Sequence, residues 1–238
     1  MHLSSAHPAT TDAFLRFIDT VVEGRTGHFF ILGDLFEYWA GDDDRDDPLA
    51  QVIAARLKAL ADGGVSIGFM AGNRDFLIGD TFAAAAGLER LADPYRTRID
   101  GVELLLSHGD ALCVDDVDYQ RFRAMVRAPA WQRDFLAKPL AERRETIAGA
   151  RQQSEAAKRE KAAAIMDAND HAVGDLLAAN PGTILIHGHT HRPAHHVHSV
   201  ADQPRDRWVL TDWNADATPP RGGGLALTGG RIVAVAST

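Results

Sequence analysis

A histidine-rich segment runs from His187 to His191 (HGHTH), directly after the apolar residues 184–186. The β-branched run, followed by Gly188 and Pro193, predicts a buried strand that ends in a loop. Side chains two residues apart point the same way in extended backbone, so the rings of His187 and His189 can converge on one point. A single histidine in such a place more often bonds to backbone than to a metal. Three alternating histidines after a strand favour a metal site.

Polar groups of the same kind follow three other predicted strands, namely Gly33-Asp34, residues 72–75 (GNRD) and residues 107–110 (SHGD). An isolated Asp34 or Asn73 would be read simply as a turn former. Four such groups at successive strand ends instead predict one shared site, because open α/β folds build their sites at the carboxyl ends of strands.

These candidate ligands supply oxygen and nitrogen but no sulfur. That set suits Mn²⁺, iron or Zn²⁺ in a hydrolytic site better than a structural zinc. A carboxylate can bridge two such ions about 3.5 to 4 Å apart, and a pair of this kind promotes in-line attack of water on phosphorus. Asp34 is the candidate bridging carboxylate.

Composition limits the classes of function that fit the chain. Its 238 residues carry a formal net charge of -8, which argues against nucleic acid as a partner. The single cysteine, Cys113, excludes an internal disulfide and a thiolate zinc cluster, and it favours a reducing cytosol. No apolar run is long enough for a membrane span and no basic-then-apolar leader is present, so we expect any membrane contact to be peripheral.

Hydrophobic periodicity predicts the elements that position these motifs. A helix is expected to begin near Thr11, and the acidic residues 41–48 are expected to form a loop. Further predicted helices cover residues 49–60, 81–86 and 171–179. Predicted strands cover residues 28–32, 65–70, 96–99, 103–106, 183–186, 208–210, 224–227 and 232–235. This alternation predicts a layered α/β core.

Residues 116–168 differ from the rest of the chain, because they are rich in Ala, Arg, Lys, Glu and Gln and carry no strand signal. We interpret them as a helical insertion in a core made of residues 1–115 and 169–238. The apolar side chains of this insertion are expected to line an acyl-chain groove and to touch a membrane surface. The alternative, for at least half of them, is that they pack onto the core. These side chains are Phe122, Met125, Val126, Trp131, Phe135, Leu136 and Leu140.

The motif series Gly-Asp, Gly-Asn-Arg-Asp, His-Gly-Asp and His-Gly-His-Thr-His resembles that of the calcineurin-like metallophosphoesterases. Longer segments, ILGDLFEYWAGDDD, GNRDFLIG, SHGDALCVDD, AIMDAND and IHGHTHRP, are similar to those of family members in the lipid A pathway of Gram-negative bacteria. The resemblance covers nearly the whole chain.

This resemblance implies a four-layer αββα sandwich with a helical lid and two Mn²⁺ ions per chain. It implies hydrolysis of the pyrophosphate bond of UDP-2,3-diacylglucosamine to UMP and 2,3-diacylglucosamine 1-phosphate by metal-activated water. It also implies a cytoplasmic enzyme that associates peripherally with the inner membrane. The alternatives are action on another phosphodiester or nucleotide, or an inactive scaffold that has kept the fold.

Residue by residue, the resemblance implies that one ion is held by Asp34, Asn73, His108 and His187. The second ion would be held by Asp34, His2, His189 and one further carboxylate. Asp34, Asn73, His108 and the phosphate-binding Arg74 would carry catalysis. Substrate contacts would come from Asn73, Arg74, Asp116, Tyr119, Arg151, Ser154, Lys158, Lys161 and His187.

For the insertion residues among these, the alternative is a solvated helix face. Their spacing favours a shared role, because Ser154, Lys158 and Lys161 lie at i, i+4 and i+7 and would point from one face of a helix.

The family's first motif, an apolar strand that ends in Asp-x-His, is only partly present. His2 fits its histidine, whereas the aspartate would precede Met1. Within this sequence the second metal site is therefore expected to be one carboxylate short. Two explanations remain open at this point: a start upstream of Met1, or a genuine loss of the ligand and its strand.

Overall fold

The computed structural model describes residues 1–22, 26–44, 46–160 and 166–237. Its helices are α1 (Pro8–Phe17), α2 (Pro48–Asp62), α3 (Asp80–Ala86), α4 (Val117–Arg127), α5 (Pro129–Leu136), α6 (Leu140–Glu160) and α7 (Asp170–Ala179). Its strands are β1 (His28–Leu32), β2 (Ser66–Met70), β3 (Leu88–Leu91), β4 (Tyr95–Ile99), β5 (Val102–Ser107), β6 (Ile184–His187), β7 (Ala194–Val200), β8 (Gln203–Val209), β9 (Gly223–Thr228) and β10 (Arg231–Ala236).

The first sheet has the parallel order β1-β2-β3, with Leu32 paired to Met70. Helix α2 connects β1 to β2, and its start is encoded locally. The carboxylate of Asp47 accepts hydrogen bonds from the backbone N–H groups of Leu49 and Ala50, and Pro48 occupies the first turn. The predicted helix over residues 49–60 is thereby confirmed.

The second sheet has the order β4-β5-β6-β8-β7, in which β5, β6 and β8 are parallel and β4 and β7 are antiparallel edges. Strands β9 and β10 form a separate hairpin. Because β1, β2, β5 and β6 are each followed by one of the four polar motifs, the strand directions decide where those motifs meet.

Strand alternation divides the core into three apolar layers. On β5, Leu104 and Leu106 pack with Leu32 and Met70 between the two sheets. Leu105 points the other way, where it packs with Leu185 of β6, Leu112 and the α7 residues Val173 and Leu177. A third cluster lies between the first sheet and helices α1, α2 and α3; among its members are Ile31, Phe69, Phe14, Ile53, Leu57 and Phe82. Two outer helical layers and two inner sheets make the expected αββα sandwich.

Two strands, β3 and β7, were not predicted. β3 contains the exposed pair Glu89 and Arg90, and β7 is an edge strand whose sequence, AHHVHSV, lacks apolar alternation. Both gain strand structure from pairing with a neighbouring strand, which local sequence does not reveal. The predicted strand over residues 208–210 is also longer in the structure, because β8 pairs with β7 along its whole length.

Helices α4, α5 and α6, with short non-helical segments, make up most of the described part of residues 116–168, and the apolar residues predicted to line a groove divide into two groups. Val126 and Phe135 are buried, and Trp131 packs against the main core. Phe122, Met125 and Leu136 remain exposed at 41%, 49% and 40%. Packing onto the core therefore applies to part of the set and leaves an apolar outer surface. The division into a core and a lid stays a prediction.

Two arginines attach α6 to the acidic loop after β1. Arg143 is buried, donates to the Ala40 carbonyl oxygen and pairs with Asp43, while Arg144 pairs with Asp44. Within the described residues, no helix combines the length and apolar character that crossing a membrane requires.

Candidate metal centre

The loops after β1, β2, β5 and β6 meet at one edge of the sandwich. One ligand atom each from Asp34, His108 and His189 lie within 4.8 Å of one another. The Oδ1 atom of Asn73 lies 3.2 Å from His108 Nε2 and 3.0 Å from His189 Nδ1. One side chain from each of the four predicted strand ends therefore belongs to this cluster, namely Asp34, Asn73, His108 and His189.

Glycines in the motifs allow this close approach. A Cβ atom on Gly72 would lie 2.2 Å from Asp34 Oδ1, and one on Gly33 would lie 2.5 Å from His108 Nδ1. Gly33 also has a φ of +84°, which favours glycine. The two glycines thus bring the Asp34, Asn73 and His108 loops within reach of one another.

A buried carboxylate that was given no role from the sequence, Asp75, ties two of these loops together. It accepts backbone N–H bonds from Asp34 at 3.2 Å, Leu35 at 2.7 Å and Gly72 at 2.8 Å. Burial, reinforced by the negative charge of Asp34, raises the pKa of Asp75 to about 6. The Gly-Asn-Arg-Asp motif therefore contributes a loop-fixing acceptor as well as candidate ligands.

Backbone carbonyls set the orientation of two imidazoles. His108 Nδ1 lies 2.8 Å from the Leu32 oxygen, which leaves its Nε2 facing Asn73 and 3.8 Å from Asp34 Oδ2. His187 Nδ1 lies 2.9 Å from the Gly188 oxygen, and its buried Nε2 has no partner in the described structure. Metal-binding histidines are oriented in this way through their second nitrogen.

Charges and burial favour an ionised Asp34 and neutral rings at His187 and His189, whereas they favour the protonated form of His108. Burial alone would raise the pKa of Asp34, but the nearby His108 and His2 lower it below its ordinary range. Burial lowers the pKa of His187 to about 4 and that of His189 to about 3. The pKa of His108 is raised, because Asp34 and Asp110 outweigh its burial. An ionised carboxylate and neutral imidazoles are the forms that bind metals.

His2 lies beside Asp34, as its motif position predicts. Its backbone N–H donates to the Asp34 carbonyl at 2.8 Å, and its Nε2 is 3.5 Å from Asp34 Oδ2. The next residue, Leu3, continues the contact by donating to Leu35 at 2.9 Å. His191, the third histidine of its segment, also comes close, with Nε2 3.3 Å from His2 Nε2.

The candidate phosphate-binding Arg74 and the candidate substrate-binding Arg151 meet at Glu37. Arg74 Nη1 lies 3.6 Å from Glu37 Oε1, and Arg151 of α6 donates to the same oxygen. Burial would raise the pKa of Glu37, but His2, Arg74 and Arg151 together lower it to about 2. Glu37 was not identified as a site residue from the sequence.

Helix α4 contributes one wall of the centre. The Tyr119 ring stacks on His189 at 5.8 Å between centroids, and its hydroxyl donates to Asp110 Oδ2 at 2.7 Å. Asp116 caps α4 by accepting from the Tyr119 backbone N–H at 3.1 Å. Ser154 is exposed on α6. The Lys158 side chain and all of Lys161 lie outside the described residues.

Asp110, like Asp75, supports the centre although the sequence analysis gave it no role of its own. Fully buried, it also lies 2.9 Å from Arg123 Nε and 3.5 Å from Arg127 Nη2. Arg127 donates in addition to the Gly72 carbonyl at 3.0 Å. Asp110 thus connects the His108 loop to α4 and, through Arg127, to the Asn73 loop. Its place in the His-Gly-Asp motif was the only sequence signal.

The residues of this centre fit a divalent metal. They offer carboxylate and amide oxygens, imidazole nitrogens and the buried, unpartnered Nε2 of His187. Carbonyl oxygens lie at hydrogen-bond distance from the far nitrogens of His108 and His187, and the far nitrogen of His2 lies 2.9 Å from Glu37 Oε2. This donor chemistry supports metal binding without distinguishing Mn²⁺ from similar ions.

Comparison with known proteins also indicates a hydrolase of phosphate esters. The family model described as calcineurin-like phosphoesterase matches residues 1–193. A protein of Aromatoleum aromaticum named UDP-2,3-diacylglucosamine hydrolase is 52% identical over 217 residues, which are 91% of this chain and 88% of the relative. Proteins of the same name are 47% identical in Chromobacterium violaceum, over 98% of this chain and 94% of the relative, and 45% identical in Klebsiella pneumoniae subsp. pneumoniae, over 92% and 90%.

Proposed function

Because the chain belongs to the calcineurin-like phosphoesterase family, we propose that it is a metal-dependent hydrolase of UDP-2,3-diacylglucosamine. It cleaves the pyrophosphate bond and releases UMP and 2,3-diacylglucosamine 1-phosphate, a step of lipid A biosynthesis. The observation that carries this proposal is the convergence of Asp34, Asn73, His108 and His189 in a chain that aligns with its named relatives over most of their length.

We propose that the metal is a pair of Mn²⁺ ions that would share Asp34. One ion would take Asn73, His108 and His187, and the other would take His2, His189 and one further carboxylate. When bound, such a pair supplies Lewis-acid chemistry at phosphorus and activates water. The chain contributes the ionised bridging carboxylate, which the backbone N–H of Arg74 orients by donating to Asp34 Oδ1 at 2.9 Å.

Arg74 and Arg151 are proposed to bind the pyrophosphate. Their guanidinium groups both form ion pairs with Glu37 and come from different parts of the chain, the Asn73 loop and α6. Planar guanidinium forks suit phosphate oxygens, because they form paired, charge-assisted hydrogen bonds. Further proposed substrate contacts are Asn73, His187, Asp116, Tyr119, Ser154, Lys158 and Lys161.

The exposed apolar residues of the helical insertion are proposed to bind the acyl chains and to meet the inner-membrane surface from the cytoplasm. Phe122 and Met125 lie on α4, the helix that also carries Tyr119, and Leu136 ends α5. Burying acyl chains there contributes about 0.8 kcal/mol per CH₂ group. This surface distinguishes a lipid substrate from a small nucleotide.

The function is tested by measuring UMP release from UDP-2,3-diacylglucosamine with Mn²⁺. Asp34→Ala should lower both the rate of UMP release and the affinity for Mn²⁺ by more than about 100-fold. The effect should exceed the roughly 10- to 100-fold that supporting groups typically contribute, because Asp34 is the proposed shared ligand. Asp62→Ala removes an exposed carboxylate paired with Lys58 and should behave as wild type. Near-normal hydrolysis by Asp34→Ala would exclude the proposed metal centre.

A second experiment separates the lipid substrate from other phosphodiesters. Phe122→Ser combined with Met125→Ser should slow hydrolysis of the lipid substrate and leave hydrolysis of a small aryl phosphodiester unchanged. Equal losses on both substrates would refute the acyl-chain role. A wild-type chain that hydrolyses only the aryl compound would instead favour another phosphodiester as the substrate.

A further inference from the structure

Glu37 lies where three functional side chains meet, three residues after Asp34 and with a side chain that is 21% exposed. Its Oε2 is 2.9 Å from His2 Nδ1, and its Oε1 faces both Arg74 and Arg151. Backbone pairing holds it there, since its N–H donates to the Leu3 carbonyl at 3.0 Å. The carboxylate is therefore fixed between the second metal ligand set and the candidate phosphate site.

Its contact with His2 determines which ring nitrogen is available to a metal. With Nδ1 2.9 Å from Glu37 Oε2, His2 presents Nε2 on the side of Asp34 Oδ2, 3.5 Å away. A carboxylate on the far nitrogen of a ligand histidine fixes its tautomer and ring orientation and raises its basicity. Glu37 is suited to do this for His2.

The two arginines hold this carboxylate in place. Arg74 belongs to the Asn73 loop, and Arg151 is 114 positions from Glu37 in the sequence and reaches it from α6. Arg151 also stacks over the Tyr38 ring, 5.8 Å from its centroid. Glu37 consequently joins the helical insertion to a ligand of the metal centre.

We propose that Glu37 is a positioning residue that fixes His2 for binding of the second metal ion and links that ligand to Arg74 and Arg151. This inference rests on the proposed metal centre, but it does not depend on the identity of the substrate. Glu37 acts through the His2 ring and is not itself a metal ligand.

The test is titration of the metal-free chain with Mn²⁺, followed through the electron paramagnetic resonance signal of free Mn²⁺. Glu37→Ala should weaken the less tightly bound ion about 10- to 100-fold. Glu37→Gln should lose clearly less Mn²⁺ affinity, because an amide oxygen in the same place keeps a polar contact with His2 Nδ1. Equal losses in the two variants would indicate that the carboxylate binds the metal directly and would overturn the proposal.

Glu103→Gln is the matched control. Glu103 also lies between two arginines, 3.2 Å from Arg96 Nε and 3.5 Å from Arg98 Nε, but at the start of β5, opposite the strand end that carries the site. It should bind Mn²⁺ as wild type does, whereas an equal effect of Glu103→Gln and Glu37→Ala would refute a specific role for Glu37. Thermal melts of each variant verify folding.

A double-mutant cycle tests whether Glu37 acts through His2. His2→Ala and His2→Ala with Glu37→Ala should bind Mn²⁺ equally, because the ring through which Glu37 acts is already absent. Additive losses, or wild-type binding by Glu37→Ala or His2→Ala, would overturn the inference. These titrations use no substrate. If the chain released no UMP in the separate activity assay, the proposed substrate would be refuted, but the role of Glu37 in Mn²⁺ binding would still be tested.

Discussion

Replacing Asp110 with asparagine is expected to destabilise the fold and loosen α4. Asp110 is fully buried and pairs with Arg123 and Arg127, so the change leaves two largely buried arginines without their carboxylate. The Tyr119 hydroxyl also loses a charged acceptor. Breaking charged hydrogen bonds of this kind costs roughly 2 to 4 kcal/mol, which is a large part of a typical unfolding free energy of roughly 5 to 15 kcal/mol.

The lowered pKa of Asp110 gives a similar value for the stabilisation that its charge contributes. Burial would raise the pKa, but the positive charges of His108, Arg123 and Arg127 lower it to about 2. A decrease of about two pKa units corresponds to roughly 2 to 3 kcal/mol. Because the folded-state pKa is lowered, this stabilisation is fully present above about pH 4 and is lost as the pH falls towards 2.

Urea unfolding at pH 7 and at steps below pH 4 measures the difference between wild type and Asp110→Asn. The difference in unfolding free energy between wild type and Asp110→Asn should become smaller in acid. Turnover by Asp110→Asn should also fall, because Tyr119 no longer holds its place against His189. Asp80→Asn is the control, since Asp80 is an exposed partner of Arg90 and should change stability by no more than about 0.5 kcal/mol. A difference below about 1 kcal/mol at pH 7, or one that does not narrow in acid, would refute the reasoning.

Gly72→Ala should lower Mn²⁺ affinity about tenfold or more, because its Cβ would overlap Asp34 Oδ1; isothermal titration calorimetry checks this against Gly149→Ala, where nothing lies within 4 Å. Asp75→Ala should weaken Mn²⁺ binding in the same calorimetric assay, because it leaves three backbone N–H groups without an acceptor; unchanged binding would contradict a loop-fixing role. Burial raises the pKa of Cys113 to about 12, so its thiol should stay protonated and resist iodoacetamide at pH 8 until urea unfolds the chain. Mass spectrometry measures the labelling, and rapid labelling of the native chain would contradict this prediction.

Much of the fold follows from local sequence. Apolar runs such as residues 28–32 and 103–106 predict buried strands, and alternation within β5 decides which leucines face each layer. The glycine-flanked motifs at strand ends predict a common site, because parallel strands place their carboxyl ends at one edge. Metal-ligand chemistry is likewise visible from residue types alone.

The supporting groups could not be assigned in this way. Asp75, Asp110 and Glu37 are acidic residues in or near motifs, and their roles depend on which distant atoms each one meets. Asp75 binds an N–H 41 positions away, and Glu37 receives Arg151 from 114 positions away. Such contacts carry no local periodicity, so a sequence pattern does not predict them.

The amino-acid sequence by itself determined the apolar layers, the glycine-lined approach and the set of candidate ligands, because these depend on side-chain type and on spacing along one strand or turn. Only the tertiary structure decided that β3 and β7 are strands and that Val126 and Phe135 are buried while Phe122 stays exposed. It also decided that Glu37 lies between His2 and the two arginines. Each of these outcomes depends on a partner far along the chain, and that partner is brought into contact only when the layers pack.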